Sequence, residues 1–202
     1  MEILFINACV RGKETSRTYA AARAFLDSIT KADASVRITE ENLSEIHPPY
    51  MDEALCEKRE ALIEKKDFAN PMFDLAREFA DADRIVVAAP MWEFEFPAIL
   101  KAYIENVSVA GITFCYTDMG SLGLCKAEKM AFITTRGSDY SIPPLSNMEF
   151  GASYLRALCN MYGIKSFECI CANGLDTEGT DAKKETEALK KRCTNKGPEF
   201  IK

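Results

Sequence analysis

Short apolar runs alternate along the chain with longer stretches whose apolar positions recur every three or four residues. The first pattern suits buried strands and the second suits helices packed on a sheet. Residues 3–6 (Ile-Leu-Phe-Ile) predict a first strand, and 16–29 predict a helix carrying Ala20, Ala21, Ala24, Phe25 and Leu26. Residues 35–39 alternate apolar and polar, as a strand near a sheet edge does. Residues 40–49 read as a loop. Residues 51–66 are highly charged and predict a solvated helix, and 68–79 hold a second helical pattern broken at Asn70-Pro71. Residues 84–89 (RIVVAA) suit a strand buried on both faces, and Pro90 ends it because proline cannot donate to a ladder. Pro97 opens a helix over 98–107, with Ile99, Leu100, Tyr103, Ile104 and Val107 at helical spacing. A turn region (118–124), a fourth strand (130–135) and a helix (149–162) closed by Gly163 follow. A fifth strand (166–172) and a closing helix (181–192) complete the series. Residues 194–202 are polar, contain Gly197-Pro198 and read as a surface or frayed tail.

This alternation predicts an α/β chain with a parallel sheet covered on both faces. With 202 residues it is most economically one domain spanning 1–202. In such sheets ligands bind outside the carboxyl ends of the strands. Three loops lie there. The first, 7–15, is polar and leads to a hydroxyl-rich helix start, Ser16-Arg17-Thr18, where free N–H groups and the positive helix end suit a phosphate. N-capping alone would also explain Ser16 and Thr18. The second, Pro90-Met91-Trp92-Glu93-Phe94, places the single Trp and a Phe at the end of the central strand, as a flat conjugated ligand requires. The third, Arg136-Gly137-Ser138, contains a glycine that lets backbone approach a ligand closely. None is a P-loop or a GxGxxG, which disfavours ATP and a Rossmann-bound dinucleotide.

A net charge of -6 disfavours nucleic acid and anionic membrane partners, and no apolar run is long enough to span a bilayer. Residues 1–10 are apolar but carry Glu2 and no basic leader, so they read as a strand and not a signal peptide. The eight cysteines are scattered without a CxxC, so no metal site is expected. Reduced thiols of a cytoplasmic protein suit them best. His47, before Pro48-Pro49, is weak evidence for catalysis.

The segment AAPMW-x-F-x-FPAILKAYIE, followed by AGITF-x-YT, resembles the FMN-dependent NADH:quinone oxidoreductases and azoreductases of the flavodoxin-like superfamily. The resemblance implies a doubly wound five-stranded parallel sheet of order 2-1-3-4-5, with helices on both faces. It implies FMN as cofactor, with its phosphate on Ser16, Arg17 and Thr18. Cys9 stands where relatives carry a small hydroxyl residue, and a thiol is the weaker donor. Pro90 to Phe94 would border the flavin, with backbone amides from Met91 to Phe94 on its N5 and O4. Glu93 replaces the Asn of several relatives, and its carboxylate would disfavour an anionic reduced flavin. Thr135, Arg136, Gly137 and Ser138 match the pyrimidine-end motif, with Ser138 in place of a second glycine. Tyr116, Tyr140 and Met161 match substrate-pocket positions, and the Tyr116 loop belongs to the wall supplied by a second subunit. The implied activity is ping-pong hydride transfer from NADH or NADPH, through flavin, to quinones, azo compounds or nitroaromatics, in a homodimer. A flavodoxin-like electron carrier and a flavin-free binding or regulatory module on the same fold are the alternatives.

Overall fold

The computed structural model describes residues 1–202. Its centre is a five-stranded parallel sheet ordered β2 (Arg37–Asn42), β1 (Glu2–Asn7), β3 (Arg84–Ala88), β6 (Lys129–Thr135), β7 (Ser166–Ala172). All five residues of β3 are buried, as its unbroken apolar run requires. Side chains of a strand alternate between faces. Leu4, Ile6, Met130 and Phe132 therefore join one core, with Leu100, Tyr103 and Ile104 of α5 (Ala98–Val107) and Leu155, Cys159 and Tyr162 of α6 (Gly151–Tyr162). Ile3, Phe5, Ala131 and Ile133 join the other, with Ala21, Phe25 and Leu26 of α1 (Arg17–Ala32) and Leu189, Cys193 and Phe200 of α7 (Ala182–Phe200).

The strand order matches the expected 2-1-3-4-5 once only the strands of this sheet are counted. The numbering shifts because the region taken for turn, 118–124, instead completes an antiparallel hairpin, β4 (Phe114–Thr117) and β5 (Gly120–Gly123). Its strands are short and exposed, so no apolar alternation announces them. The hairpin seats against the end of α6, where a Cβ on Gly123 would strike the backbone of Tyr162 and Gly163.

Two other expectations change. Residues 40–49 are not all loop: β2 continues to Asn42, whose side chain caps the short helix α2 (Leu43–Ile46). The supposed frayed tail is the last part of α7, which runs through Pro198. Gly197 allows this, because a Cβ there would lie 2.6 Å from the Phe25 carbonyl oxygen of α1. Three residues on, Phe200 meets Phe25 edge-on at 5.3 Å between ring centroids. The exposed Thr194, Asn195 and Glu199 give the segment its polar look, while every third or fourth residue is buried. The charged helix α3 (Glu53–Glu64) has no buried residue, and α4 (Asp74–Asp81) follows the break at Asn70-Pro71 through a short 3-10 turn.

Candidate flavin-type cleft

The carboxyl ends of β1, β3 and β6, joined by the loop after β7, enclose a cleft of about 320 Å³. That is the lower end for a small-molecule pocket. Ten of the residues named from sequence line it: Cys9, Ser16, Arg17, Thr18, Pro90, Met91, Trp92, Thr135, Arg136 and Gly137.

One end is the start of α1. The Ser16 hydroxyl accepts from the Tyr19 N–H at 3.1 Å and sets the helix start. Arg17 and Thr18 begin the helix, so their N–H groups have no intrahelical partner. Thr18, fully buried, holds this end to the sheet through Thr135, hydroxyl to hydroxyl at 2.6 Å. Cys9 plays a smaller part than its position implied. Its N–H is taken by Asn7 Oδ1 at 3.0 Å, and its Sγ points at the Ala88 carbonyl at 3.6 Å. Burial pushes its thiol up to about 11, so it lines the floor as a neutral group.

The aromatic loop makes the second wall. The Met91 N–H, expected to face a ligand, is instead bonded to the Thr135 carbonyl at 3.0 Å and ties β3 to β6. The N–H groups of Trp92, Glu93 and Phe94 have no partner within the chain. They are aimed by a tight turn in which Glu95 N–H donates to the Trp92 carbonyl at 2.8 Å. Glu93 and Phe94 both have positive φ, 42° and 70°. Neither is glycine, and this left-handed region costs an ordinary residue roughly 1–2 kcal/mol. Glu93 and Phe94 are exposed and project from the rim. Asn tolerates positive φ better than Glu. Glu93→Asn should therefore raise the thermal midpoint by about 2–4 °C, the response to roughly 1 kcal/mol in a chain this size. A lowered midpoint in a thermal melt would refute strain at this turn.

The third wall is 136–138. Arg136 was matched to the pyrimidine-end motif. Its guanidinium is buried and turned to the partners behind the wall: Glu149 at 3.1 Å, Asn173 Oδ1 at 3.3 Å and the Cys169 sulfur at 3.7 Å. What this wall offers is backbone, because the Gly137 and Ser138 N–H groups are unpaired within the chain. The loop after β7 braces them, with Leu175 N–H on the Arg136 carbonyl and Asp176 N–H on the Gly137 carbonyl. A Cβ at Gly137 would come within 2.9 Å of Asp176 Oδ2, so a larger residue there would push the Asp176 carboxylate aside.

Arg11, Thr15, Leu175 and Asp176 also line the cleft and were missed. The first two lie in a loop already singled out, and the others follow the Asn173-Gly174 turn at the end of the neighbouring strand. Asp176 pairs with Arg17 at 3.1 Å. Tyr116, Tyr140 and Met161 do not line the cleft of this chain. Tyr116 stands exposed on the hairpin, edge-on to Phe114, and Met161 packs on the α6 side of the core.

A family model described as a flavodoxin-like fold matches residues 1–196. The chain belongs to that family. Within it, the FMN-dependent NADH:quinone oxidoreductase 2 of Clostridium perfringens strain 13 is 34% identical over 186 residues, 92% of each chain. Among solved structures, an azoreductase from Bacillus anthracis str. Sterne superposes with a TM-score of 0.89 at 24% identity, over 99% of this chain and all of that one. An FMN-dependent NADH-azoreductase from Bacillus anthracis str. Ames Ancestor, in complex with FMN, gives 0.87 at 23% identity, over 100% and 99% of the chains. These two show the family fold. No group of three or more His, Cys, Asp or Glu side chains is placed to hold a metal ion.

Proposed function

We propose that the chain is an FMN-dependent NAD(P)H oxidoreductase that reduces quinones and azo compounds. The observation that carries this is the distribution of unpaired donors. One set, at the start of α1, suits a phosphate, and two backbone sets, at 92–94 and 137–138, suit the polar edge of a flat ring. When bound, FMN supplies the two-electron hydride chemistry. The chain positions it. Ser16, Arg17 and Thr18, with Arg11 nearby, hold the phosphate, and Trp92 gives apolar contact. The Gly137 and Ser138 N–H groups favour negative charge at the pyrimidine end. No side chain need act as nucleophile.

The acceptor side of the cleft is open, and a homodimer would close it. Tyr116, Met119 and Leu122 on the hairpin are 77%, 98% and 55% exposed, and Trp92, Phe94 and Phe150 are exposed around the rim. These exposed apolar side chains would suit a protein contact. Tyr116 would then reach the partner's pocket, with Tyr140 and Met161 completing it. No helix is long and apolar enough to cross a membrane, and we place the protein in the cytoplasm with its thiols reduced.

Visible absorption after adding FMN, then anaerobic NADH, tests the reading. One two-electron bleach, reversed by a quinone, is expected. A bleach that halts after one electron favours the electron carrier, and no bound flavin favours the binding module. Arg17→Ala should weaken FMN about tenfold, the loss of one charge-assisted hydrogen bond, and leave riboflavin unaffected. Equal losses for both ligands would remove Arg17 from the phosphate.

A further inference from the structure

The segment Glu149-Phe150, where α6 begins, is bonded to two walls of the cleft at once. Glu149 Oε1 meets the Arg136 guanidinium at 3.1 Å, in the one ion pair that Arg136 makes. The same oxygen accepts the Ala152 N–H at 3.0 Å and is thereby fixed to the helix start. The next residue, Phe150, donates its N–H to the Phe94 carbonyl of the aromatic loop at 2.9 Å. A Cβ at Gly151 would crowd this junction, 3.2 Å from the Glu95 carbonyl oxygen and 3.3 Å from Glu149 Oε1.

The pair is buried, with 7% of the Arg136 side chain and 13% of the Glu149 side chain exposed. Little water or salt reaches these charges, so either one left alone would act at longer range than a surface charge. The other partners of Arg136 do not offset it. Asn173 is neutral, a thiol sulfur such as that of Cys169 is a weak acceptor, and Arg136 Nε has no partner. Glu149 alone both balances the guanidinium and holds it turned from the cleft. We propose that Glu149 is a positioning residue of the flavin site, which by binding Arg136 keeps a full positive charge from the wall at 136–138 and so sets how far the site favours reduced over oxidised FMN. This rests on the reading of the cleft as an FMN site.

Gly137 and Ser138 present N–H dipoles at that wall, and Arg136 is the residue that leads into them. Without the Glu149 carboxylate, the guanidinium charge is felt there whether the side chain stays in place or swings into the cleft. Positive charge at the pyrimidine end favours the reduced cofactor, because reduction adds the negative charge. A unit charge about 10 Å from an anion, at an effective dielectric constant of about 20, is worth roughly a tenfold preference. With Glu149 in place the preference is left to the two dipoles. The reduced cofactor is then held less firmly and is the stronger donor to an acceptor.

The test compares the full chain with Glu149→Gln, Arg136→Gln and the double variant, each shown to be folded by its thermal melt. The two-electron potential of bound FMN and the dissociation constant of oxidised FMN are measured at pH 8. Glu149→Gln keeps an acceptor for the Ala152 N–H but loses the charge. It should favour reduced FMN about tenfold more than the parent does, a rise of about 30 mV. The double variant carries neither charge and should return to the parent potential. Arg136→Gln leaves a lone carboxylate and should fall below it. A merely structural role would weaken oxidised and reduced FMN alike and leave the potential unmoved. An unchanged or lowered potential in Glu149→Gln, or a rise that persists in the double variant, would overturn the proposal. Should Glu149→Gln not fold, a potential in Arg136→Gln no lower than in the double variant overturns it. A parent chain that binds no FMN sinks this proposal together with the function above, whereas equal potentials in chains that do bind FMN sink this proposal alone.

Discussion

Glu41→Gln should stabilise the protein by about 3 kcal/mol at pH 8 and leave it unchanged at pH 4. Glu41 sits on β2 with only 5% of its surface exposed, and neither carboxylate oxygen has a hydrogen-bond partner. Burial is the main influence and lifts its carboxyl to about 7. The Tyr103 hydroxyl lies close enough to oppose this but completes no hydrogen bond of normal geometry, and Glu78 adds a like charge. The folded protein therefore keeps a proton that the unfolded chain releases from about 4.5 upward. Its contribution to stability is fully present below 4.5 and is lost as pH rises through 7. A shift of this size corresponds to about 3 kcal/mol, or roughly 6–12 °C in thermal midpoint. Gln cannot ionise, so the penalty disappears while the shape is kept. Denaturant unfolding of both proteins from pH 4 to pH 8 decides the matter, and parallel curves would mean that water or a shifted backbone already solvates Glu41.

Gly197→Ala has two opposed expectations, and its sign is diagnostic. By helix propensity alone, Ala should stabilise the interior of α7 by about 1 kcal/mol. The structure demands the reverse. A Cβ at 197 would meet the Ser28 hydroxyl and the Phe25 carbonyl, and the backbone carbonyl cannot swing aside. α7 must move off α1, at a cost of about 1–3 kcal/mol beyond the lost propensity gain. A thermal midpoint lowered by several degrees is expected, together with weaker FMN binding, because the start of α1 lines one end of the cleft. A raised midpoint would show that the two helices are not in close contact. Glu199→Ala, on the exposed side of the same turn, controls for helix content.

Much of the fold was visible in the apolar periodicity, because the central strands β1, β3 and β6 are buried on both faces and α1, α5, α6 and α7 each bury one face. The cleft was visible as three loops at one sheet edge. What escaped did so for local reasons. The hairpin strands are four residues long and mostly exposed, so they carry no burial pattern. Gly197-Pro198 looks like a helix breaker until Phe25 is known to lie beneath it. Arg136 lines the cleft, but its charge turns behind the wall. Glu149, 13 positions on and brought back by the start of α6, claims the charge, and no linear motif encodes that. The partners of the Cys9 and Met91 N–H groups were hidden in the same way, since both depend on how neighbouring strands align.

The packing of Phe200 against Phe25 also bears on when the protein can fold during its synthesis. α1 is made early, and the sheet face beneath it is laid down strand by strand. That face stays open until α7 is available to cover it. Residue 200 must therefore clear the ribosome before the second core can close, and during translation Phe25, Leu26 and their neighbours remain accessible to chaperones. The opposite face, closed by α5 and α6, has its last fully buried residue at Ile164 and its last packed neighbours at Phe167 and Cys169. The two sides of one sheet are thus completed at different times, and the end of the cleft at the start of α1 belongs to the later one.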